Sequence, residues 1–295
     1  AMDLVLGTGE TGTFSHFVGK SICRAINKQA DDLQCTVAPA PDEMHNITNL
    51  GGGSLDICLL DSKTVYDAVN RKGNFEYLDI HYDNLSSLQR IYDVPITLVI
   101  RKDAGIDSLD EMKGKRINAG TPGSSQHQMV ETILDAKGWS RKDFSLMDEL
   151  PESQSQADMA FCHGTRQAMA HIGVHPDPSV QQLFKLCNAN LVGIDDSDLQ
   201  ELISRHPAFT KVSLNGGIYP DRADAITTLA TSTLLVSSQV LDEDTVYGIM
   251  EALYNSRKQL MSAHPALAGI NDKGAGDPHL GLVRHPGAVK YFSEN

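Results

Sequence analysis

Residues 4–13 read LVLGTGETGT, a strand-length apolar run that stops at Gly7 and passes into a loop rich in glycine and threonine. The apolar residues that follow recur at spacings of three and four: Phe14, Phe17, Val18, Ile22, Ala25 and Ile26. Such spacing places them on one face of a helix. A strand, a tight polar turn and a helix in this order are the repeating unit of α/β proteins.

The same order occurs twice more along the chain. An apolar strand at 56–60 precedes a helical pattern at 62–70, and a strand at 116–119 precedes one at 124–137. Repetition of this unit predicts an α/β fold with a largely parallel sheet.

Two long β-rich stretches, Pro95–Arg101 and Thr227–Ser237, indicate two crossings between domains. We therefore expect a discontinuous first lobe formed by residues 1–100 and 226–295, with a second lobe at 101–225 inserted into it. The total of 295 residues fits two domains of roughly 100–200 residues each. The Gly- and Pro-rich segment 269–286 is typical of an extended surface tail.

The charge balance narrows the classes of partner. Lys and Arg number 25 against 38 Asp and Glu, which gives a formal net charge of −13. This sign disfavours nucleic acid and anionic membranes as partners, since both carry negative charge. No apolar run reaches the length of a membrane span and no signal peptide is present, so we expect a soluble chain. A start at Ala1-Met2 is compatible with a removed signal and leaves the compartment open.

The cysteines and histidines show no metal-site spacing. The chain has five cysteines: Cys23, Cys35, Cys58, Cys162 and Cys187. The odd count leaves at least one unpaired in an exported protein unless it bonds between chains, and most of them lie in apolar surroundings and are expected to be buried thiols. Neither CxxC nor a Cys/His zinc pattern occurs, so we expect no metal and no cofactor.

Two loops are candidates for holding an anion. The first loop, residues 7–13, offers flexible backbone N–H groups, threonine hydroxyls and the positive end of the following helix. The second loop, residues 120–126, has the same placement between a strand and a helix. In both, a simple capped turn explains the pattern as well. The candidate ligand residues in the two loops are Gly9, Glu10, Thr11 and Thr13, then Thr121, Gly123, Ser124, Ser125 and Gln126.

Three further candidates lie outside these loops. Asp61 and Ser62 follow a buried strand, where Asp61 would bind an ammonium group or cap the next helix. His171 at a strand end is either a structural residue or a donor to a carboxylate. The sequence contains no GxSxG, HExxH, kinase, phosphate-loop or SxxK motif; this does not exclude an enzyme, but it nominates no catalytic residue.

Seven segments in register resemble the TAXI family of solute-binding proteins, the extracytoplasmic receptors of one class of TRAP transporters. The first loop resembles that family's GTGGTGGTYY start, and residues 120–125 resemble its GPPGSG loop. The other similar segments are 59–68, 97–116, 175–181 (GHPxPxIQ), 217–220 (GTYP) and 285–288 (HPGA).

The resemblance implies a two-lobed type II periplasmic-binding-protein fold of mixed sheets flanked by helices. It also implies a ligand cleft between the lobes and capture by hinge closure. It further implies a periplasmic location, a small carboxylate ligand such as glutamate or 2-oxoglutarate, and delivery to sodium-coupled TRAP membrane subunits. A monomer is expected, since both lobes must be free to dock.

Three residues depart from the family pattern. Glu10 replaces Gly, Asp61 replaces Gln and His171 replaces Tyr. Extra carboxylates would repel a dianion unless they meet an ammonium group, which favours an α-amino dicarboxylate paired with Asp61. An enzyme acting on a small anion with the same fold, and an effector-binding regulatory domain, remain the alternatives.

Overall fold

A computed structural model describes residues 1–220, 224–271 and 277–295 of the chain. Its strands are β1 (Met2–Thr8), β2 (Leu33–Pro39), β3 (Ile57–Asp61), β4 (Leu85–Arg101), β5 (Arg116–Asn118), β6 (Leu146–Asp148), β7 (Ala168–Ile172), β8 (Ala189–Val192), β9 (Thr210–Leu214), β10 (Ile226–Ser238) and β11 (Val283–Arg284). Its α-helices are α1 (Phe14–Gln29), α2 (Glu43–Gly52), α3 (Ser62–Asn70), α4 (Ser125–Lys137), α5 (Gln154–Cys162), α6 (Pro178–Leu186), α7 (Asp196–Ser204), α8 (Glu243–Asn255), α9 (Arg257–Ala263) and α10 (Pro286–Glu294). The α/β class expected from the sequence is confirmed. None of the helices in these ranges has both the length and the hydropathy needed to cross a bilayer.

The chain divides into two compact units. Unit 1 comprises Ala1–Asp93 and Ser232–Asn295, and unit 2 comprises Val94–Thr231. The chain passes from one unit to the other within β4 and within β10. The sequence-based boundaries, at 100/101 and 225/226, also fall in β4 and at the start of β10. Both strands run on without a turn, so no local signal marks where one unit ends. Residues 221–223 of the expected second lobe lie outside the described residues.

Unit 1 is built on three neighbouring parallel strands. β1 pairs with β2 through Leu4↔Cys35 and with β3 through Leu6↔Ile57. β10 runs antiparallel to β3, which places Thr233 opposite Asp61. The carboxyl ends of β1, β2 and β3 therefore share one edge of the sheet, where ligands bind in open α/β folds.

Helix α1 begins where the first loop ends, because the Thr13 side chain accepts a hydrogen bond from the backbone N–H of His16. Its inward face buries Val18, Ile22 and Ile26, the positions that the sequence spacing indicates. At Gly19 a β-carbon would come within 2.3 Å of Thr8 Cγ2, so glycine is what allows the helix to pack closely against β1.

Unit 2 has a core on both faces of β4. Ile96, Leu98 and Ile100 belong to one buried cluster, while Val99 belongs to another that contains Phe161 and Tyr219. β7 and β8 pair antiparallel with β4, and β5 and β6 form a separate parallel pair. The carboxyl ends of β5 and β6 lead into the second loop and into the segment before α5.

The expectation that most cysteines are free thiols is wrong. Cys23 bonds to Cys35 in unit 1 and Cys162 bonds to Cys187 in unit 2, whereas Cys58 is a free, buried thiol. The apolar surroundings gave no sign of pairing, because each bond joins a helix end or face to a residue that is distant in sequence.

The expectation of an extended tail at 269–286 is also wrong for its described part. A 3-10 turn runs to Asn271, another covers Pro278–Leu280, and Val283 pairs with Ser86 of β4. Residues 272–276 of this segment lie outside the described residues.

The disulfides predict a simple thiol count. Alkylation of the denatured protein should label one cysteine per chain before reduction and five after it. Reduction should lower the free energy of unfolding by about 3 kcal/mol for each bond, since closed loops of this size restrict the unfolded chain by that order. Mass spectrometry of labelled peptides gives the number of labelled cysteines, and urea unfolding gives the change in the free energy of unfolding. Three or more labelled cysteines without reduction would contradict the pairing.

Candidate functional site

The first loop forms a compact turn at the carboxyl edge of unit 1. Gly9 donates its backbone N–H to Ser15 Oγ at 2.7 Å. Thr13 Oγ1 donates to the carbonyl of Glu10 at 2.7 Å and also caps α1. The Glu10, Thr11 and Thr13 side chains are exposed. The loop thus holds its own shape through Thr13 and presents the Glu10 carboxylate and the Thr11 hydroxyl to solvent.

Asp61 and Ser62 lie at the same edge, at the end of β3. Asp61 Oδ1 accepts the backbone N–H of Lys63 at 2.8 Å and caps α3. Ser62 is buried, and its hydroxyl oxygen accepts the backbone N–H of Ser232 at 3.0 Å. Asp61 is therefore the partly exposed member of the pair, and Ser62 ties α3 to β10.

Glu43, which the sequence analysis did not single out, lies against Asp61. Its Oε1 atom accepts the backbone N–H of Asp61 at 2.8 Å. Burial, followed by the charge of Asp61, raises the pKa of Glu43 from 4.5 to about 7. The strand, turn and helix order at 33–52 could have pointed to Glu43, because it matches the strand–turn–helix units recognised elsewhere in the sequence.

Aromatic rings border this edge. The Phe14 ring meets the Tyr92 ring edge-to-face with a centroid distance of 4.9 Å, and it meets the His264 ring at 4.7 Å. Tyr92 is buried, and burial raises the pKa of its hydroxyl, so it stays neutral. The edge of unit 1 thus combines acidic groups with a wall of packed aromatic rings.

The second loop lies at the carboxyl end of β5 in unit 2. Gly120 and Gly123 adopt φ values of +83° and +89°, a region that favours glycine. The Ser124 side chain caps α4, and the Gln126 amide donates to the carbonyl of Asn118 at 2.9 Å. Thr121, Gly123 and Ser125 are exposed. This loop offers hydroxyl groups and carries no acidic side chain.

A buried arginine in the segment between α5 and β7 reaches the end of β6, the partner strand of β5. Arg166 donates to Asp148 Oδ2 at 2.8 Å and to Glu152 Oε1 at 3.1 Å. Its side chain is only 9% exposed. Its guanidinium group joins β6 to the segment that leads into α5, and so fixes the surroundings of the second loop.

His171 is the penultimate residue of β7. Its Nε2 atom lies 3.0 Å from Asp177 Oδ2 at the start of α6. Sequence reasoning did not identify Asp177, because the two residues are brought together by the turn between β7 and α6.

The structure thus groups the predicted residues by unit. Gly9, Glu10, Thr11, Thr13, Asp61 and Ser62 share the carboxyl edge of unit 1. Thr121, Gly123, Ser124, Ser125 and Gln126 lie at the end of β5 in unit 2, and His171 lies on β7. Cys162, which stands beside His163 in the sequence, is bonded to Cys187. Within the described ranges, no group of three or more His, Cys, Asp or Glu residues is arranged to hold a metal ion.

Solved structures share this fold at low sequence identity. A TctC solute binding protein from Polaromonas matches with a TM-score of 0.58 and 13% identity, covering 88% of each chain. PhnD1 from Prochlorococcus marinus, in complex with methylphosphonate, matches with a TM-score of 0.57 and 14% identity, covering 90% of each chain. The periplasmic aliphatic sulphonate binding protein SsuA from Escherichia coli matches with a TM-score of 0.53 and 14% identity, over 100% of this chain and 79% of that one. The fold is therefore that of periplasmic binding proteins.

A sequence-family model assigns the chain to a family, which structures of such low sequence identity do not do. The model of the NMT1-like family matches residues 6–295, nearly the whole chain. The match includes both sheet edges described above. The chain belongs to the NMT1-like family.

Proposed function

We propose that this protein is an extracytoplasmic solute receptor of the TAXI type. In this proposal it binds a small carboxylate, a glutamate-like amino acid or a dicarboxylate, by hinge closure, and delivers it to a sodium-coupled TRAP membrane transporter. The observation that carries the proposal is that each unit has a polar loop at the carboxyl end of parallel strands. Ligands of open α/β sheets bind at such edges.

The charges of the two loops favour a ligand with both an ammonium and a carboxylate group. The edge of unit 1 carries the carboxylates of Glu10 and Asp61, which attract a cation. The second loop in unit 2 combines hydroxyl groups with the positive N-terminal end of α4, which attracts an anion. An α-amino acid meets both requirements, and a second carboxylate would use further donors in unit 2.

The names of structurally similar proteins support an anionic ligand. SsuA is named for aliphatic sulphonates, and PhnD1 was solved with methylphosphonate. Aliphatic sulphonates and methylphosphonate are small molecules with one strongly anionic group. The acidic edge of unit 1 is the feature of this chain that adds a preference for an ammonium group.

The disulfides support export. Cys23–Cys35 and Cys162–Cys187 place one bond in each unit. Such bonds persist in oxidising compartments such as the bacterial periplasm and are rare in the cytosol. A periplasmic, monomeric receptor is the arrangement that we propose.

The ligand class is tested by retention and by titration. Native mass spectrometry of freshly purified protein should show an added mass equal to that of an amino acid or a dicarboxylate. Isothermal titration should then give tighter binding for L-glutamate than for 2-oxoglutarate, because only glutamate supplies an ammonium group to Asp61. Tight 2-oxoglutarate binding without measurable glutamate binding would refute the role of Asp61. Binding of neither compound would refute the ligand class.

A further inference from the structure

Two carboxyl groups, those of Glu43 and Asp61, meet at the carboxyl edge of unit 1. Glu43 is the first residue of α2, and its Oε1 atom accepts the backbone N–H of Asp61 at 2.8 Å. Asp61 is the last residue of β3, and its Oδ1 atom accepts the backbone N–H of Lys63 at 2.8 Å. A backbone hydrogen bond thus fixes one oxygen of each carboxyl group, which holds the two groups close together.

The surroundings of Glu43 do not balance a second negative charge. Among the described residues, the charged group that acts on Glu43 is Asp61, which has the same sign. The other residues that the neighbouring strands and α3 bring to α2 here are neutral: Cys58 of β3, Tyr92 of β4, Thr64 of α3, and Gly7 and Thr8 of β1. Burial raises the pKa of the Cys58 thiol and of the Tyr92 hydroxyl, so neither group ionises near neutral pH.

This pair of carboxyl groups holds a proton that a single exposed carboxyl group would have lost. Burial, and then the negative charge of Asp61, raise the pKa of Glu43 from 4.5 to about 7. About half of the molecules therefore carry a proton on Glu43 at pH 7. The proton leaves Asp61 as the charged member of the pair, without a second charge beside it.

A cation at Asp61 reverses this balance. An opposite charge close to a carboxyl group favours its ionised form, just as a like charge disfavours it. An ammonium group bound to Asp61 lies close to Glu43 as well, because the two residues are in contact. It offsets the charge of Asp61 and attracts the ionised form of Glu43, so the proton passes to the solvent. Glu43 acts here through Asp61 and does not need to touch the ligand.

We infer that Glu43 is a proton-exchanging residue of the ammonium subsite: it holds a proton while the subsite is empty and releases it to solvent when the ligand's ammonium group reaches Asp61. This inference rests on the proposed function, since it names the residue that sets how tightly the ammonium group is held. By linkage, a ligand with an ammonium group should bind more tightly as pH rises. A ligand without one should gain nothing from Glu43.

Isothermal titration counts the proton. L-glutamate is titrated into the protein at pH 6, 7 and 8, each in two buffers of different ionisation enthalpy, and the difference in heat gives the number of protons released. With Glu43 back at its ordinary pKa of 4.5 in the complex, about 0.9, 0.5 and 0.1 protons should be released at these three pH values. Affinity should rise about 25-fold between pH 5.5 and pH 8 for the same reason. 2-Oxoglutarate, which has no ammonium group, should release none, and an equal release with it would overturn the inference.

Two variants assign the proton to Glu43. Glu43→Gln keeps an oxygen for the N–H of Asp61 and has no proton to lose. It should bind L-glutamate without proton release and with a flat pH profile, so the advantage of the wild type should widen as pH rises. Glu243→Gln changes the exposed first residue of α8 and should behave as the wild type does. An equal loss of affinity in Glu43→Gln at every pH, with unchanged proton release, would make Glu43 a structural residue and overturn the inference.

The outcomes separate this inference from the proposed function. Binding of L-glutamate without proton exchange at pH 6 and 7 overturns the inference and leaves the receptor proposal standing. Binding of neither L-glutamate nor 2-oxoglutarate refutes the ligand class, and the inference is then decided by carboxyl carbon NMR. The Glu43 resonance, identified by its loss in Glu43→Gln, is titrated in methylammonium chloride and in sodium chloride at equal ionic strength. A lower midpoint in methylammonium supports the inference, and equal midpoints contradict it.

Discussion

Replacing Asp61 with asparagine is expected to weaken the binding of L-glutamate by about 100-fold, which corresponds to about 2.7 kcal/mol. The carboxylate is proposed to accept hydrogen bonds from the ligand's ammonium group, and bonds between charged groups contribute more than neutral ones. Asparagine keeps an oxygen that can cap α3 through the N–H of Lys63, so the fold should be retained. Isothermal titration of both proteins with L-glutamate measures the change.

Two comparisons make the result specific. Binding of 2-oxoglutarate should be unchanged or stronger in Asp61→Asn, because a repelling charge has been removed and no ammonium contact is lost. Asp242→Asn is the matched control, since Asp242 caps α8 in the same unit. Asp242 comes after the end of β10 that pairs with Ile57. It therefore lies at the opposite edge of the sheet from Asp61. An equal loss for both ligands in Asp61→Asn would show that Asp61 acts on the fold and not on the ammonium group.

The elements that the sequence predicted well are those set by local interactions. The helix at 62–70 matches α3, and the helix at 124–137 differs from α4 by one residue at its start. In both cases a Ser or Asp cap and an apolar face are encoded within a few residues. The first loop was located for the same reason, because glycine and threonine after a short apolar run are a local signal.

The full length of β4 was not predicted, because its first half does not read as a strand. The apolar pattern was recognised from Pro95, yet the strand begins at Leu85. Ser86, Ser87 and Gln89 are buried there and bond to residues far along the chain: Asp277 binds the Ser87 hydroxyl, and Tyr254 binds Gln89. Polar residues of this kind look like a loop until their distant partners are known.

At the candidate site, too, contacts between residues that are distant in sequence were not predicted. Asp61 and His171 were chosen from their positions after or at the end of strands, but their partners Glu43 and Asp177 were not. Glu43 is 18 residues away from Asp61, and the two meet because β1 lies between β2 and β3 and brings both following helices to one edge. The role of each predicted residue in ligand binding stays a prediction until the titrations above are made.

Replacing Glu43 with glutamine is expected to stabilise the protein at pH 8 and to have little effect near pH 5. Folding raises the pKa of this carboxyl from 4.5 to about 7. The folded state therefore holds a proton that the unfolded state has released, and stability falls as pH rises from about 4.5 through 7. The full cost above pH 7 is about 3 kcal/mol, from 1.36 kcal/mol per pKa unit. Glutamine avoids this cost and keeps the oxygen that accepts the N–H of Asp61.

Urea unfolding at pH 5, 6, 7 and 8 measures this difference, and the chain provides a close control. Glu243 is the first residue of α8 after the cap Asp242, just as Glu43 is the first residue of α2 after Asp42. Glu243 is exposed, so Glu243→Gln should follow the wild-type pH profile. The Asp61→Asn variant adds a second check: without the neighbouring charge, the raised pKa of Glu43 should fall, so the loss of stability should be smaller and should end at lower pH. If Glu43→Gln and Glu243→Gln show the same stability at pH 8, folding does not raise the pKa of Glu43 and its ionised carboxylate costs no stability.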